Sequence, residues 1–270
     1  MKISVCGKGG SGKSTVVTLL AKRTQVRGQT VLVVDSDESN SGLFRMLGFE
    51  HPPRPLLELA GGKKNVQKKM KQPTLLNETR IRIEDIPDPY ILSRNGLQLV
   101  SIGKIHQALE GCACPMGVLC REFLKKILLK QNEIVIVDME AGIEHFGRGI
   151  DTSIDTVVFV MDPSFESINL AEKVTQRLSD NPNKVRIVLN KIDSKRHAEK
   201  IEGELNKRGL MLLYTIPYDP AILEAGLEGD PLNPILAMSP IDNILDLILC
   251  EPNDHEYRIK NVSEHSLSQA

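Results

Sequence analysis

Seven short apolar runs recur along the chain, at residues 2–6, 30–35, 97–102, 133–138, 156–161, 185–190 and 212–216. They are rich in Val and Ile and nearly continuous in hydrophobicity, the pattern of parallel strands covered on both faces. Helical periodicity lies between most of them, around 118–130, 166–179 and 196–208. Residues 13–27 carry Val16, Val17, Leu19, Leu20 and Val26 on an apolar stripe, and Gly28 is placed to stop that helix. Ser239-Pro240 opens another, with Ile241, Ile244, Leu245 and Ile248 on one face. The alternation predicts an α/β fold, a mostly parallel sheet of about seven strands with helices on both faces.

Residues 61–95 break this rhythm. Lys63, Lys64, Lys68, Lys69 and Lys71 fall in a stretch with no acid between Glu58 and Glu78, and Pro73, Pro87 and Pro89 follow. The stretch reads as an irregular Lys-rich insertion after the second strand. A solvated helix face is favoured over a docking surface for an acidic partner. Residues 1–250 are expected to form one domain, and the polar residues 251–270 a flexible tail.

Chemistry concentrates after the first strand. Residues 7–15 read Gly7-Lys8-Gly9-Gly10-Ser11-Gly12-Lys13-Ser14-Thr15. This is the phosphate-binding P-loop, G-x-x-x-x-G-K-[ST], so the fold is expected to be a P-loop NTPase. Glycines let successive backbone N–H groups face phosphate oxygens, and the following helix presents its positive end to the same anion. Lys13 is suited to the terminal phosphates, and the Ser14 hydroxyl to Mg²⁺.

Ligands of α/β sheets sit at the carboxyl ends of the strands. Two acidic segments fall there, Asp35-Ser36-Asp37-Glu38-Ser39-Asn40 and Asp138-Met139-Glu140-Ala141-Gly142. Asp138 follows Ile134-Val135-Ile136-Val137 and takes the role of holding a magnesium-bound water; Asp37 is placed to orient the attacking water. Asn190-Lys191-Ile192-Asp193 resembles an N-K-x-D base-recognition element, which by itself hints at guanine.

The formal net charge is −1, so no global basic field argues for a nucleic-acid partner. No apolar stretch is long enough to span a bilayer and no signal peptide is evident; a cytoplasmic protein without a membrane partner is expected. Its five cysteines are then free, metal-binding or redox-active rather than structural disulfides. The dense cysteine signal is Glu110-Gly111-Cys112-Ala113-Cys114-Pro115-Met116-Gly117, read as a loop in which two sulfurs converge. Two thiolates do not complete a tetrahedral soft-metal site, but a second pair from a symmetric copy does. A reducible disulfide and two buried thiols remain open on spacing alone. Cys6 is expected in the core, Cys120 packed in the following helix, and Cys250 without a role. His106 and His145 are read as surface or cap residues ahead of metal ligands.

The extra lysine Lys8 in the P-loop resembles the deviant Walker A ATPases, which include MinD/ParA partition proteins, the nitrogenase iron protein and arsenite-pump ATPases. The resemblance implies a homodimer in which Lys8 reaches the partner's nucleotide. It also implies that Asn190 reads adenine with Lys191 beside it, and that Ile216-Pro217-Tyr218-Asp219 forms a loop near the base, so ATP is favoured over GTP. Residues 103–105, 110–117, 121–124 and 138–149 are similar to the CooC/AcsF family of ATPases, which assist nickel insertion into carbon monoxide dehydrogenase or acetyl-CoA synthase. This likeness runs from Met1 to about Leu232. It implies an ATP-dependent metallochaperone in which Cys112 and Cys114 bind Ni²⁺ or Zn²⁺ between two subunits, with a nickel enzyme as client. A MinD/ParA-type positioning ATPase and an iron-protein-like iron–sulfur ATPase stand as alternatives.

Overall fold

A computed structural model describes residues 1–38, 40–69, 76, 78–104, 114–140, 153–178 and 184–249. The chain runs β1 (Lys2–Gly7), α1 (Lys13–Val26), β2 (Thr30–Asp35), α2 (Leu43–Leu47), α3 (Leu56–Leu59), α4 (Gly62–Lys69), β3 (Ile91–Arg94) and β4 (Leu97–Ser101). It continues with α5 (Cys114–Lys126), β5 (Glu133–Asp138), β6 (Thr156–Met161), α6 (Phe165–Arg177), β7 (Val185–Ile192) and α7 (Lys195–Lys207). β8 (Leu212–Pro217), α8 (Pro220–Glu228) and α9 (Met238–Leu249) complete it.

The strands form one eight-stranded sheet in the order β3-β4-β2-β5-β1-β6-β7-β8, parallel except for β3. Alternate residues of each strand serve opposite faces. Val31 and Val33 of β2 pack with Val16, Val17 and Leu20 of α1 and Ile241 and Ile244 of α9. Leu32 and Val34 pack on the other face with Leu119, Phe123 and Leu124 of α5 and Ile168 of α6. Both faces are covered, which is why β5 and β6 read as unbroken apolar runs.

The expected strands and helices are found, with boundaries moved by a few residues. The eighth strand was not expected. Ile91–Arg94 pairs antiparallel with Leu97–Ser101 across an Asn95-Gly96 turn, both turn residues at positive φ. Asn-Gly is a strong hairpin signal, and it straddles the end of the stretch read as irregular. That stretch also holds α4, which buries Val66 and carries Lys63, Lys64, Lys68 and Lys69. Lys71 lies outside the described residues. α5 begins at Cys114, four positions before the expected start at 118, so Cys114 belongs to a helix rather than a loop. Pro115 is compatible with this because a first-turn proline lacks only an N–H that has no helical partner there.

Candidate nucleotide site

β1 delivers the chain at Gly7 into the P-loop, and the loop ends where α1 begins. Gly7 and Gly12 are required by close approach. A Cβ at Gly7 would stand 2.1 Å from the Val160 carbonyl, and one at Gly12 2.3 Å from Asn190 Nδ2. Gly12 also has φ 95°, a left-handed conformation that glycine adopts without strain. Among the described residues no side chain caps α1, and no acid lies in its first turn. The positive end of the helix is left for an anion. Gly9 and Gly10 are exposed, Ser11 and Lys13 are buried, and Ser14 and Thr15 are half-buried at the helix start. Lys13 Nζ donates to the Lys8 carbonyl at 3.5 Å.

Ser14 and Asp138 meet at the ends of α1 and β5. The Ser14 hydroxyl donates to Asp138 Oδ2 at 2.6 Å and accepts from Asn40 Nδ2 at 2.6 Å. Asp138 Oδ1 is buried and has no hydrogen-bond partner among the described residues. A hydroxyl beside an unsatisfied carboxylate oxygen, next to a phosphate cradle, is the oxygen donor set that Mg²⁺ takes. Ser14 would hold the ion and Asp138 the water next to it, and the ion would supply charge neutralisation at the phosphates.

The carboxylates at this end of the sheet share a low-dielectric pocket. Burial pushes Asp138 up to about 7, helped by Asp35 and Asp37 and opposed by Ser14 and Lys13. Burial raises Asp35 to about 6 against the pull of Lys104. Glu38 rises to about 7 through burial and the neighbouring Glu140 charge, and its Oε2 has no partner among the described residues. Asp37 is buried and accepts from the Asn40 N–H at 3.3 Å, beside the site as the sequence predicts.

Lys8 lies at the rim, where its ammonium is 3.4 Å from Ser164 Oγ, 3.8 Å from Asp162 and 3.9 Å from Glu166. Asn190 Nδ2 donates to the Ser11 carbonyl at 2.9 Å, and Lys191, at φ 62°, reaches the Gly10 carbonyl at 2.8 Å. Both residues thus brace the P-loop from β7. Pro217 ends β8. The Asp219 carboxylate is engaged by backbone N–H groups. One carboxylate oxygen caps α8 through the Ala221 N–H, and the other accepts from the N–H groups of Ile235, Leu236 and Ala237.

Cys112, His106, Ala141, Gly142, His145 and Cys250 lie outside the described residues; Cys114 is the first residue of α5. Cys6 and Cys120 are buried in the core, and burial raises both thiols, that of Cys120 to about 12. Neutral thiols of this kind are packing residues, as expected. Among the described residues no group of three or more His, Cys, Asp or Glu side chains is placed to hold a metal ion, and no helix is long and apolar enough to cross a membrane. Sequence reasoning missed Lys104, whose ammonium is 2.7 Å from Asp35, and the Asn40 side chain. A lone lysine at the carboxyl end of an apolar strand was the available signal for the first.

Residues 3–232 match the model of the CobQ/CobB/MinD/ParA nucleotide binding domain. The chain belongs to that family. It is therefore a P-loop ATPase of the MinD/ParA type. Among its relatives, an uncharacterised ATP-binding protein of Methanocaldococcus jannaschii is 42% identical over 253 residues, covering 92% of this chain and 99% of the relative. The carbon monoxide dehydrogenase accessory protein CooC of Rhodospirillum rubrum is 34% identical over 245 residues, covering 87% of this chain and 91% of CooC. The septum site-determining protein MinD of Pyrococcus horikoshii, solved with Mg-ADP, superimposes with a TM-score of 0.65 at 20% identity, covering 90% of this chain and 93% of that one. That likeness carries the fold.

Proposed function

We propose that this MinD/ParA-type ATPase is a metallochaperone that carries Ni²⁺ or Zn²⁺ on Cys112 and Cys114 and serves a nickel enzyme. The observation that carries the reading is the 34% identity to CooC along 87% of the chain, combined with the Cys-x-Cys pair. The client class is that of CooC, a carbon monoxide dehydrogenase, or an acetyl-CoA synthase of similar chemistry.

In this reading two copies close over ATP. Lys13 and the P-loop hold the phosphates, Lys8 crosses to the partner's nucleotide, and Asp37 orients the attacking water. Asn190, Lys191 and the segment around Pro217 border the adenine. Two Cys112/Cys114 pairs supply four thiolates, the number a tetrahedral soft-metal site takes. Hydrolysis relaxes the segments at 35–40 and after 138, and the metal leaves for its client.

Calorimetry on the double variant Cys112→Ser, Cys114→Ser tests this. ATP hydrolysis is retained and tight Ni²⁺ and Zn²⁺ binding is lost. Unchanged metal affinity would remove the site assignment. Strong ATP-dependent binding to liposomes or DNA would favour a positioning ATPase, and an iron–sulfur absorption band in anaerobically prepared protein an electron-transfer one.

A further inference from the structure

The end of α1, the start of β4 and the segment entering α9 enclose a cleft of about 480 Å³. That volume lies in the range of small-molecule sites. The cleft is at the edge of the sheet away from the P-loop: Leu97 on its wall pairs with Val31 near the start of β2, whereas the nucleotide site lies past the end of β2 at Asp35. Leu19, Leu97, Pro231 and Met238 give it apolar walls. Its charged lining has one sign, Lys22, Arg23 and Arg94, with no Asp or Glu among the described residues around it.

Arg23 is already neutralised. Its Nε and Nη2 donate to the two oxygens of Asp242 at 2.9 and 2.6 Å, a bidentate pair. The other two cations meet carbonyls instead. Lys22 Nζ donates to the Leu232 carbonyl at 2.8 Å, and Arg94 Nη1 to the Gly48 carbonyl at 2.9 Å. An ammonium has three N–H donors and a guanidinium five. With one used on each, two remain on Lys22 and four on Arg94, uncommitted among the described residues.

The frame that carries the two cations is braced. Gln25 Nε2 donates to the carbonyls of Arg94 and Asn95 at 3.2 and 2.8 Å, which pins the hairpin bearing Arg94 to the helix bearing Lys22. The Leu232 N–H donates to the Met46 carbonyl at 3.2 Å and closes the remaining side. Two like charges in one half-buried cleft repel each other. Burial and the Arg94 charge both pull the Lys22 ammonium below its ordinary pKa, and no described carboxylate offsets them. An anion between the two cations removes this repulsion and takes up the uncommitted donors.

We propose that this cleft binds a small organic phosphate, with the phosphomonoester on Lys22 and Arg94 and its apolar body against Leu19, Leu97, Pro231 and Met238. The charges match, two cations against a group that carries nearly two negative charges at pH 7. The planar fork of Arg94 suits two phosphate oxygens, and Lys22 supplies a point charge beside them.

The full-length protein is preloaded with one equivalent of Mg-ADP, which fills the P-loop, and titrated calorimetrically with phenyl phosphate at low and high salt. One phenyl phosphate binds per chain with a Kd of about 1 mM or tighter, and binding weakens at high salt. Inorganic phosphate, which has no apolar body, binds about tenfold more weakly or worse. Lys22→Met and Arg94→Gln each weaken phenyl phosphate binding about tenfold or more, the loss of one charge-assisted contact. Arg94→Glu abolishes it. Arg94 is exposed, so Arg94→Glu keeps the test decisive should Lys22→Met fail to fold, and melting curves report the fold of each variant. Absence of saturable binding to the wild type overturns the proposal, as does binding that a folded Arg94→Glu retains. Inorganic phosphate binding as tightly as phenyl phosphate overturns the role of the apolar walls. Phenylsuccinate, a dicarboxylate, binding more tightly than phenyl phosphate overturns the choice of phosphate.

Discussion

The Lys8 ammonium stands 3.8 Å from the Asp162 carboxylate of its own chain, with the lysine side chain 38% exposed. A half-exposed pair of this kind contributes about 0–1 kcal/mol, so exchanging it for a phosphate would cost Lys8 little. Lys8→Ala is expected to bind Mg-ATP as a monomer but to lose the ATP-driven dimer. Hydrolysis then falls about 10²–10³-fold, the scale seen when one preorganised electrostatic donor is removed. Light scattering behind size exclusion with Mg-AMPPNP checks the first point. A variant that dimerises like the wild type refutes the assignment of Lys8 to the partner's nucleotide.

Asp138→Asn separates activity from stability. The carboxyl is fully buried and its neutral form is favored, with a pKa pushed up to about 7. Asparagine imitates the neutral form and still accepts from Ser14. Mg²⁺-dependent hydrolysis is expected to drop about 10²-fold for want of the charge. Thermal stability of the nucleotide-free protein at pH 8 should rise, since a buried charge is removed. A lower melting temperature would contradict the electrostatic account of this residue.

Glu38 gives the pH dependence. Its folded pKa, about 7, lies above the ordinary 4.5, so folding favours the protonated form. The unfolded chain releases that proton at lower pH, and stability therefore falls as pH rises from about 4.5 to 7 and is flat above. Glu38→Gln removes this penalty. It should stabilise the nucleotide-free protein at pH 8 by on the order of 1 kcal/mol, allowing for solvent screening, and change little at pH 4.5. Melting curves across this range decide it; equal effects at both ends would speak against the burial and Glu140 repulsion invoked here.

Asp219 is a structural prediction. Its carboxylate accepts from four backbone N–H groups that join the start of α8 to the segment entering α9. Asp219→Ala leaves these donors unpaired and is expected to cost about 2–4 kcal/mol. Urea unfolding measures the loss. ATP affinity at a temperature where the variant is folded should change little, whereas a selective loss of ATP affinity would return Asp219 to the base-recognition role.

The parts legible in the sequence were those with a strong local period or a dense motif. β5 reads as a strand because both its faces are buried, and the P-loop reads as a phosphate site because Gly7 and Gly12 meet backbone and side-chain atoms at distances only glycine allows. Asp138 could be placed from the apolar run before it. β3 was hidden by its length and by Pro87 and Pro89 just before it. The anchoring of Lys104 depends on three acceptors more than sixty residues upstream. The four donors to Asp219 include three from the far side of α8. Such partnerships arise from topology, and no spacing along the chain encodes them.

The central claim is a thiolate metal site shared between two copies and governed by ATP. Anaerobic titration of the wild-type protein with Ni²⁺, followed by light scattering and metal analysis with and without Mg-ATP, tests it most directly. The account predicts about one metal ion per two chains, bound in the dimer, since one tetrahedral site takes four thiolates. One tightly bound metal per monomer, or none in either nucleotide state, would contradict it.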